Sequence, residues 1–212
     1  MRHAALGALA AGILAWHPPL ASQEQSPAQA PPADLASAVA LEDDGMVAVE
    51  GFAIDRYEYP NQAGRLPRTN VTWDEARDLC RARGKRLCRE NEWETACRGP
   101  EGHLFGYGPA FESARCNTPY QQEGRWQRQG LARSGAFAEC RNGYGLHDMI
   151  GNAWEWTATR PGSSHPRALR GGSWFNSVNY ARSDARYDRD LPEGYSLDLI
   201  GFRCCRDLEA AD

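Results

Sequence analysis

The sequence predicts an α+β domain with two main helices, short strands and much ordered loop, and three observations support this fold class. Seven Trp, eight Tyr and 21 Gly among 212 residues favour a loop-rich fold with aromatic packing over a helical bundle. Helical periodicity is confined to two short segments, whereas most other apolar runs are short and interrupted by glycine. Seven cysteines could cross-link such a fold through disulfides.

The N-terminal residues 1–22 have the pattern of a secretory signal peptide. Arg2 and His3 precede an apolar segment at 4–16 that is too short to span a membrane. Residues 23–44 are rich in Ala, Pro, Gln and Ser and predict a disordered linker. We therefore expect an exported protein, periplasmic or extracellular, whose folded domain covers residues 45–212.

The charge of the chain argues against nucleic acid as a partner. The full chain has 24 Lys and Arg against 28 Asp and Glu, a net charge of −4. Removal of the signal peptide takes away one arginine and no acid, which leaves 23 − 28 = −5. A polyanion is a poor partner for such a chain.

The first half of the domain predicts strands followed by two helices. Alternating apolar and polar residues at 46–59 predict one or two strands. Thr72 and Glu75 have the spacing of a capping box at the start of a helix that ends at Gly84. The segment 90–98 predicts a second, shorter helix, because Trp93 shares one face with Ala96 and Cys97.

The second half is less regular. Residues 102–142 show no sustained period and predict a long functional or cross-linked loop. Short strands are predicted around 153–158, 168–175 and 200–206. The first of them overlaps a glycine-rich stretch, 144–157, in which Asp148 and Glu155 place two carboxylates near two tryptophans.

The cysteines favour disulfides over a zinc site. No Cys-x-x-Cys pair is present, and an exported chain permits disulfides. Seven cysteines allow three bridges and one free thiol. A bridge between Cys116 and Cys140 would close about 25 residues and contribute about 3 kcal/mol on the chain-entropy model.

Eight motifs, taken in order, resemble the formylglycine-generating enzyme (sulfatase-modifying factor) family over residues 46–207. The motifs are Phe52-Ala53-Ile54-Asp55-Arg56-Tyr57-Glu58, Val71-Thr72-Trp73-Asp74-Glu75-Ala76, Gly84-Lys85-Arg86-Leu87, Glu92-Trp93-Glu94, Tyr144-Gly145-Leu146, Gly151-Asn152-Ala153-Trp154-Glu155-Trp156, Arg170-Gly171-Gly172-Ser173-Trp174 and Gly201-Phe202-Arg203-Cys204. The resemblance implies a variant of the C-type-lectin-like fold. It leaves function open, because the family contains copper oxidases, a pyoverdine-maturation protein and exported proteins without known chemistry.

Copper chemistry is not expected. In the resembled oxidases two cysteines follow the Arg-Gly-Gly-Ser motif and hold copper(I). Here these positions fall at Asn176 and near Ala181, and no Cys lies between Arg141 and Arg203. Catalytic residues therefore stay unassigned.

Calcium is the metal that the resemblance favours. Carried over by position, its ligands are the side chains of Asp148 and Glu155 and the carbonyls of Gly151 and Ala153, which are hard oxygen donors. The alternative is that Glu155 only receives N–H bonds while the tryptophans pack. A second calcium site of the family is expected to be lost here, because Asn117 has no aspartate partner before residue 148.

The resemblance also implies a disulfide pattern. Cys80 matches the cysteine that pairs with the one at Cys204, and the usual partner of Cys97 is replaced near Ser183. Cys97 is then the free, buried thiol. The remaining bridges are expected between Cys88 and Cys205 and between Cys116 and Cys140.

A recognition groove is the binding hypothesis, since lectin-like folds carry ligand sites on loops. Its candidate residues are Ser173, Trp174, Asn176, Arg186 and Tyr187. The first expectation is an exported accessory or binding module for a peptide, glycan or protein. The alternatives are an enzyme of the pyoverdine-maturation type and a formylglycine-generating oxidase, so catalytic activity is left open.

Overall fold

The computed structural model describes residues 44–159, 167–188 and 191–208. The predicted signal peptide and nearly all of the predicted linker lie outside them. The α+β fold is confirmed, with two helices, ten short strands and a 3₁₀ turn in the described part. Their bounds are β1 Met46–Val49, β2 Phe52–Asp55, α1 Trp73–Arg81, β3 Arg86–Leu87, α2 Glu90–Arg98, β4 Tyr120–Gln122, β5 Arg125–Gln127, β6 Trp154–Ala158, β7 Arg167–Arg170, a 3₁₀ turn Val178–Tyr180, β8 Arg186–Tyr187, β9 Ile200–Phe202 and β10 Cys204–Asp207.

Two four-stranded sheets organise the domain. The first has the order β1-β2-β10-β3 and is antiparallel, so the last described strand lies between two early ones. The second has the order β8-β7-β6-β9, in which β6 and β9 run parallel. In this sheet Glu155 lies between Arg170 on one side and Gly201 on the other.

Helix α1 begins with reciprocal capping contacts, whereas at α2 the Arg89 N–H donates to Glu92 Oε2 (2.8 Å) without a return bond. At α1 the Glu75 N–H donates to Thr72 Oγ1 (3.1 Å) and the Thr72 N–H donates to Glu75 Oε2 (2.8 Å), which confirms the predicted capping box. The helix α2 buries Trp93, Ala96 and Cys97 and packs against β6 and β7. The apolar face predicted for it is buried in a cluster with Phe52 and Leu146.

The long irregular segment contains one regular element that the sequence did not indicate. Within the predicted loop 102–142, β4 and β5 form a hairpin in which Gln121 opposes Trp126. Its two turn residues, Glu123 and Gly124, both have positive φ (50° and 73°), as a type I′ turn requires.

The predicted strand at 168–175 is shorter than expected and ends at Arg170. Gly171 and Gly172 have φ values of +88° and +76°, which strand residues do not adopt. A Cβ on Gly171 would lie 2.8 Å from the Met149 carbonyl oxygen, so the backbone approaches too closely for any side chain.

Three disulfides join the elements. They pair Cys80 with Cys204, Cys88 with Cys205 and Cys116 with Cys140, the pairs that the resemblance implies, and Cys97 is a buried free thiol. Consecutive strand residues point to opposite faces, so Cys204 and Cys205 reach separate apolar clusters on the two sides of β10. Such cross-links are typical of an oxidising compartment. Neither α1 nor α2 is long and apolar enough to cross a bilayer, nor is any other helix in the described ranges.

Candidate functional site

The candidate site is an aromatic cleft of about 230 Å³ beside the second sheet. Strand β6 supplies Trp154, β8 supplies Tyr187, and the loops at 175–180 and 195–199 close it. We call this set of residues the aromatic cleft: Trp154, Leu169, Phe175, Asn176, Tyr180, Tyr187, Tyr195, Leu197, Leu199 and Ile200.

The mouth of the cleft carries an unusual share of exposed apolar surface. Five large hydrophobic residues are exposed in the described part of the chain, and three of them line this cleft: Phe175 (46%), Tyr180 (37%) and Leu197 (39%). Deeper in, Trp154 is 4% exposed and packs edge-on against Tyr180, with ring centroids 5.4 Å apart. The cleft thus has a fixed indole wall and an accessible apolar rim.

Two hydrogen bonds fix the orientation of the Asn176 side-chain amide in the aromatic cleft. Asn176 Oδ1 accepts hydrogen bonds from the Trp154 indole N–H (2.7 Å) and from the Ser173 hydroxyl (2.6 Å). Its amide nitrogen donates to no described residue. Because both contacts fix the oxygen end, the nitrogen end is available to donate to a carbonyl or hydroxyl of a ligand.

The five predicted binding residues do not all reach the cleft. Asn176 and Tyr187 line it, and Ser173 supports Asn176 from a buried position. Trp174 does not line it and instead packs edge-on against Phe175, at 5.5 Å. Arg186 is also outside the lining, because its guanidinium pairs with Glu90 and Asp188.

Most of the lining was missed from the sequence. Trp154 was noted only as part of the glycine-tryptophan stretch. The last loop did carry a signal, since Tyr195, Leu197 and Leu199 alternate with polar residues and could have indicated one apolar face. Their convergence with Phe175 depends on tertiary packing, which local periodicity does not contain.

A buried ionic centre lies next to the glycine-tryptophan stretch. Arg203 is 0% exposed, and its guanidinium donates to both carboxylate oxygens of Glu155 at 2.7–3.0 Å. The Trp93 indole N–H donates to Glu155 Oε2 at 2.7 Å. The charge of Glu155 is therefore compensated inside the protein.

Two further carboxyl groups are buried close to this pair. Glu58 accepts hydrogen bonds from the Ser134 hydroxyl (2.8 Å) and the Asn152 amide (2.8 Å), and Asp148 accepts from the Gly135 N–H (2.6 Å). Burial, reinforced by the charges of Asp148 and Glu155, raises the pKa of Glu58 well above its usual value. Burial also raises the pKa of Asp148 to about 6, although the Gly135 N–H opposes the shift.

The hydrogen bonds of Glu155 compete with its expected role as a calcium ligand. Both oxygens of Glu155 already accept N–H bonds, which is the alternative interpretation given to this residue. In the described ranges no group of three or more His, Cys, Asp or Glu side chains is placed to hold a metal ion. The expected set has only two such side chains, Asp148 and Glu155, so calcium binding stays a prediction. A calcium ion at Glu155 would have to displace Arg203 or Trp93.

The positions of the copper cysteines hold no thiol. Asn176 accepts hydrogen bonds from Trp154 and Ser173, and Ala181 is buried at 2% exposure. The remaining free thiol, Cys97, is fully buried with its Sγ 3.9 Å from the Met149 carbonyl oxygen, and burial raises its pKa. A raised pKa disfavours the thiolate that copper(I) or a nucleophilic reaction requires.

Comparison with known proteins places this chain in a family. A family model described as sulfatase-modifying factor enzyme 1-like domain matches residues 33–208. The inactive C-alpha-formylglycine-generating enzyme 2 of Mus musculus is 36% identical over 151 residues, which is 66% of this chain and 48% of that protein. The formylglycine-generating enzyme of Mus musculus is 32% identical over 173 residues, 69% of this chain and 46% of that protein. The chain spans about half the length of these curated relatives.

A solved structure has the same fold. The structure of PvdO from Pseudomonas aeruginosa superposes with a TM-score of 0.58 at 21% sequence identity, covering 74% of this chain and 80% of that one. This likeness concerns the arrangement of helices, sheets and loops described above.

Proposed function

Because the chain belongs to the family of sulfatase-modifying factor enzyme 1-like domains, with the cleft described above, we propose that it is an exported accessory module that binds a protein or peptide segment in the aromatic cleft. In this proposal it does not act as a formylglycine-generating oxidase. The family's fold supplies the rigid scaffold, and the loops at 175–180 and 195–199 supply the binding surface.

The observation that carries the proposal is the concentration of exposed apolar side chains in one concave place. Phe175, Tyr180 and Leu197 lie together at the mouth of a cleft whose wall is Trp154. Contiguous exposed apolar surface is costly unless a partner covers it, and it marks interaction sites. Aromatic residues at such positions are the usual anchors of protein interfaces.

The size of the cleft favours one side chain over a whole small molecule. Its volume of about 230 Å³ lies below the range of roughly 300–1,000 Å³ that small-molecule sites occupy. A single aromatic or branched aliphatic side chain is of suitable size. Burying such a side chain contributes about 1.5–3 kcal/mol, which suits a moderate-affinity contact.

The chemistry of the lining argues against a glycan. A sugar brings many hydroxyl groups, and each one removed from water needs a new hydrogen-bond partner. The cleft offers the Asn176 amide and the hydroxyls of Tyr180, Tyr187 and Tyr195, whereas the rest of its lining is apolar. An apolar side chain with one backbone carbonyl near Asn176 suits this lining better.

The absence of oxidase activity is proposed from the ligand positions. Copper(I) prefers soft sulfur ligands, and Asn176 and Ala181 supply none. A mouse relative that is 36% identical is itself named as an inactive formylglycine-generating enzyme. We expect no copper(I) uptake in an anaerobic competition with a chromogenic chelator, and no change in mass of a sulfatase-motif cysteine peptide under oxygen. Conversion of the peptide cysteine would reassign the protein to the oxidases.

Binding in the cleft can be tested with two exposed leucines. Leu197 lines the cleft, whereas Leu66 is exposed (50%) and is not among its lining residues. End-blocked Gly/Ser peptides with a central Trp, Phe, Leu or Ala serve as fluorescent probes. We expect binding of the Trp, Phe and Leu peptides but not of the Ala peptide.

Leu197→Ser should then weaken binding about tenfold, because a buried contact of about 1.4 kcal/mol is lost. Leu66→Ser is the matched control and should leave binding unchanged. Equal affinity for the Ala peptide, or equal effects of the two substitutions, would contradict the proposed site.

A further inference from the structure

Given the proposed binding function, we propose that charges at the rim of the aromatic cleft select the neighbours of the captured side chain. The partner segment then carries an apolar residue with an acidic group on one side and a basic group on the other. The lining itself contains no charged residue. Charge selection therefore depends on the groups that adjoin it.

The basic group is Arg128, which lies against one wall of the cleft. Its guanidinium is stacked over the Phe175 ring, 4.5 Å from the centroid, and its Nε–H donates to the Phe175 carbonyl oxygen at 3.0 Å. These two contacts fix the arginine at the rim without neutralising it. Arg128 is exposed and makes no ion pair with any described carboxylate, so it can pair with a carboxylate of a ligand.

The acidic groups lie on the loop that forms another part of the rim. Asp198 stands between two lining residues, Leu197 and Leu199, and Glu193 lies two residues before the lining Tyr195. Both are exposed, and neither forms an ion pair with a described residue. A basic group next to the captured side chain would find a counter-charge here.

Other charges beside the cleft are compensated within the protein. Arg186, next to the lining Tyr187, pairs with Glu90 and Asp188. Arg182, close to Tyr180 in sequence, pairs with Asp184 at 2.8 Å. Arg128, which stacks on the lining Phe175, therefore remains for a partner, as do Asp198 and Glu193, which adjoin lining residues in sequence.

This arrangement distinguishes the two ends of a bound segment. An apolar side chain in the cleft brings its neighbours to the rim, where one meets a cation and the other meets anions. A segment with both charges in the matching order gains two ion pairs, whereas the reversed order meets two like charges. Exposed ion pairs contribute little each, so the selectivity is a modest factor superimposed on apolar anchoring.

The test uses five end-blocked peptides with a central leucine. The neighbours of the leucine are serine on both sides, one aspartate, one lysine, or one aspartate and one lysine in each of the two orders. Fluorescence anisotropy gives the affinity of each for the wild type, Arg128→Gln, Asp198→Asn and the control Arg65→Gln. Arg65 is also exposed and without a described ion pair, but does not line the cleft.

We expect the aspartate peptides to bind about two- to fivefold more weakly to Arg128→Gln, and the lysine peptides to bind similarly more weakly to Asp198→Asn. One order of the two-charge peptide should bind more tightly than the other, and this preference should decline with added salt. Arg65→Gln should behave as the wild type.

The experiment distinguishes failure of the charge selection from failure of the binding function. Binding of all peptides with equal affinity, unaffected by Arg128→Gln and Asp198→Asn, overturns the charge selection and leaves the binding function intact. Failure of every peptide to bind, the serine peptide included, overturns the proposed function itself.

Discussion

Arg203 is a fully buried arginine that connects several parts of the interior. Its guanidinium donates to Glu155 and to the carbonyl oxygens of Asp55, Arg56 and His147, all at 3.3 Å or less. It thereby joins the end of β2, the glycine-rich loop and β6. Removal of one partner from a buried ion pair costs roughly 3–5 kcal/mol, because the other charge stays buried without compensation.

The neighbouring carboxyl groups predict an unusual pH dependence of stability. The folded-state pKa values of Glu58 and Asp148 are raised, the latter to about 6, so the folded protein holds these protons more tightly than the unfolded chain. The stability that Asp148 contributes is complete below the unfolded pKa of about 4 and is lost as pH rises through about 6, and the contribution of Glu58 also falls as pH rises. We expect urea unfolding in chelator to give a free energy of unfolding that is higher near pH 5 than near pH 7.5, by on the order of 1 kcal/mol from Asp148 and by a further contribution of the same sign from Glu58.

Glu58→Gln is the matched variant, because the amide stays neutral while it can still bond to Ser134 and Asn152. It should reduce the difference between pH 5 and pH 7.5, and an unchanged difference would contradict the assignment.

The same measurement at pH 7.5 with calcium tests the expected ligands. A calcium-dependent gain in the free energy of unfolding that Glu155→Gln abolishes would show that calcium replaces the N–H donors at Glu155.

At the scale of elements, the segment 116–140 is a loop closed on itself. The Cys116–Cys140 bridge joins its ends, and the β4–β5 hairpin lies within it. Asn117 donates to the Gly130 carbonyl oxygen (2.8 Å) and to Asn152 Oδ1 (2.9 Å), which ties the closed loop to the glycine-rich stretch. The position of Arg128 at the cleft rim therefore depends on this cross-link.

We expect the double substitution Cys116→Ser/Cys140→Ser to destabilise the protein by about 3 kcal/mol, since the unfolded chain regains the loop's freedom. For a domain of this size the melting temperature should fall by roughly 6–12 °C. Scanning calorimetry under non-reducing conditions measures the change. A melting temperature equal to that of the wild type would show that the loop is held by its hydrogen bonds alone.

Local sequence rules predicted some elements well and others poorly, for physical reasons. The capping box of α1 and the apolar face of α2 depend on residues a few positions apart, and both were predicted correctly. The hairpin was missed because its strands are only three residues each and carry no alternating pattern. Strand β7 was predicted too long, because the conformation of Gly171 is set by Met149, which is far away in sequence.

At the scale of the whole molecule, the family resemblance predicted the fold, whereas the site required the three-dimensional arrangement. Ordered motifs over residues 46–207 carry the fold, and the family match confirms it. The cleft combines residues from 154 to 200, and none of the spacings among them is regular. Trp174 and Arg186 were plausible candidates by composition, but neither lines the cleft, and Arg186 pairs with Glu90 and Asp188 instead.

The position of β10 has a consequence for biosynthesis. This strand is among the last described residues, yet it lies between β2 and β3 and carries two disulfides with sequence separations of 124 and 117. A growing polypeptide that has not reached residue 204 can complete neither the first sheet nor these cross-links. The native structure therefore cannot form until residues 204–207 have been synthesised. Such a delay suits a protein whose thiols must stay apart until it has reached the compartment that oxidises them.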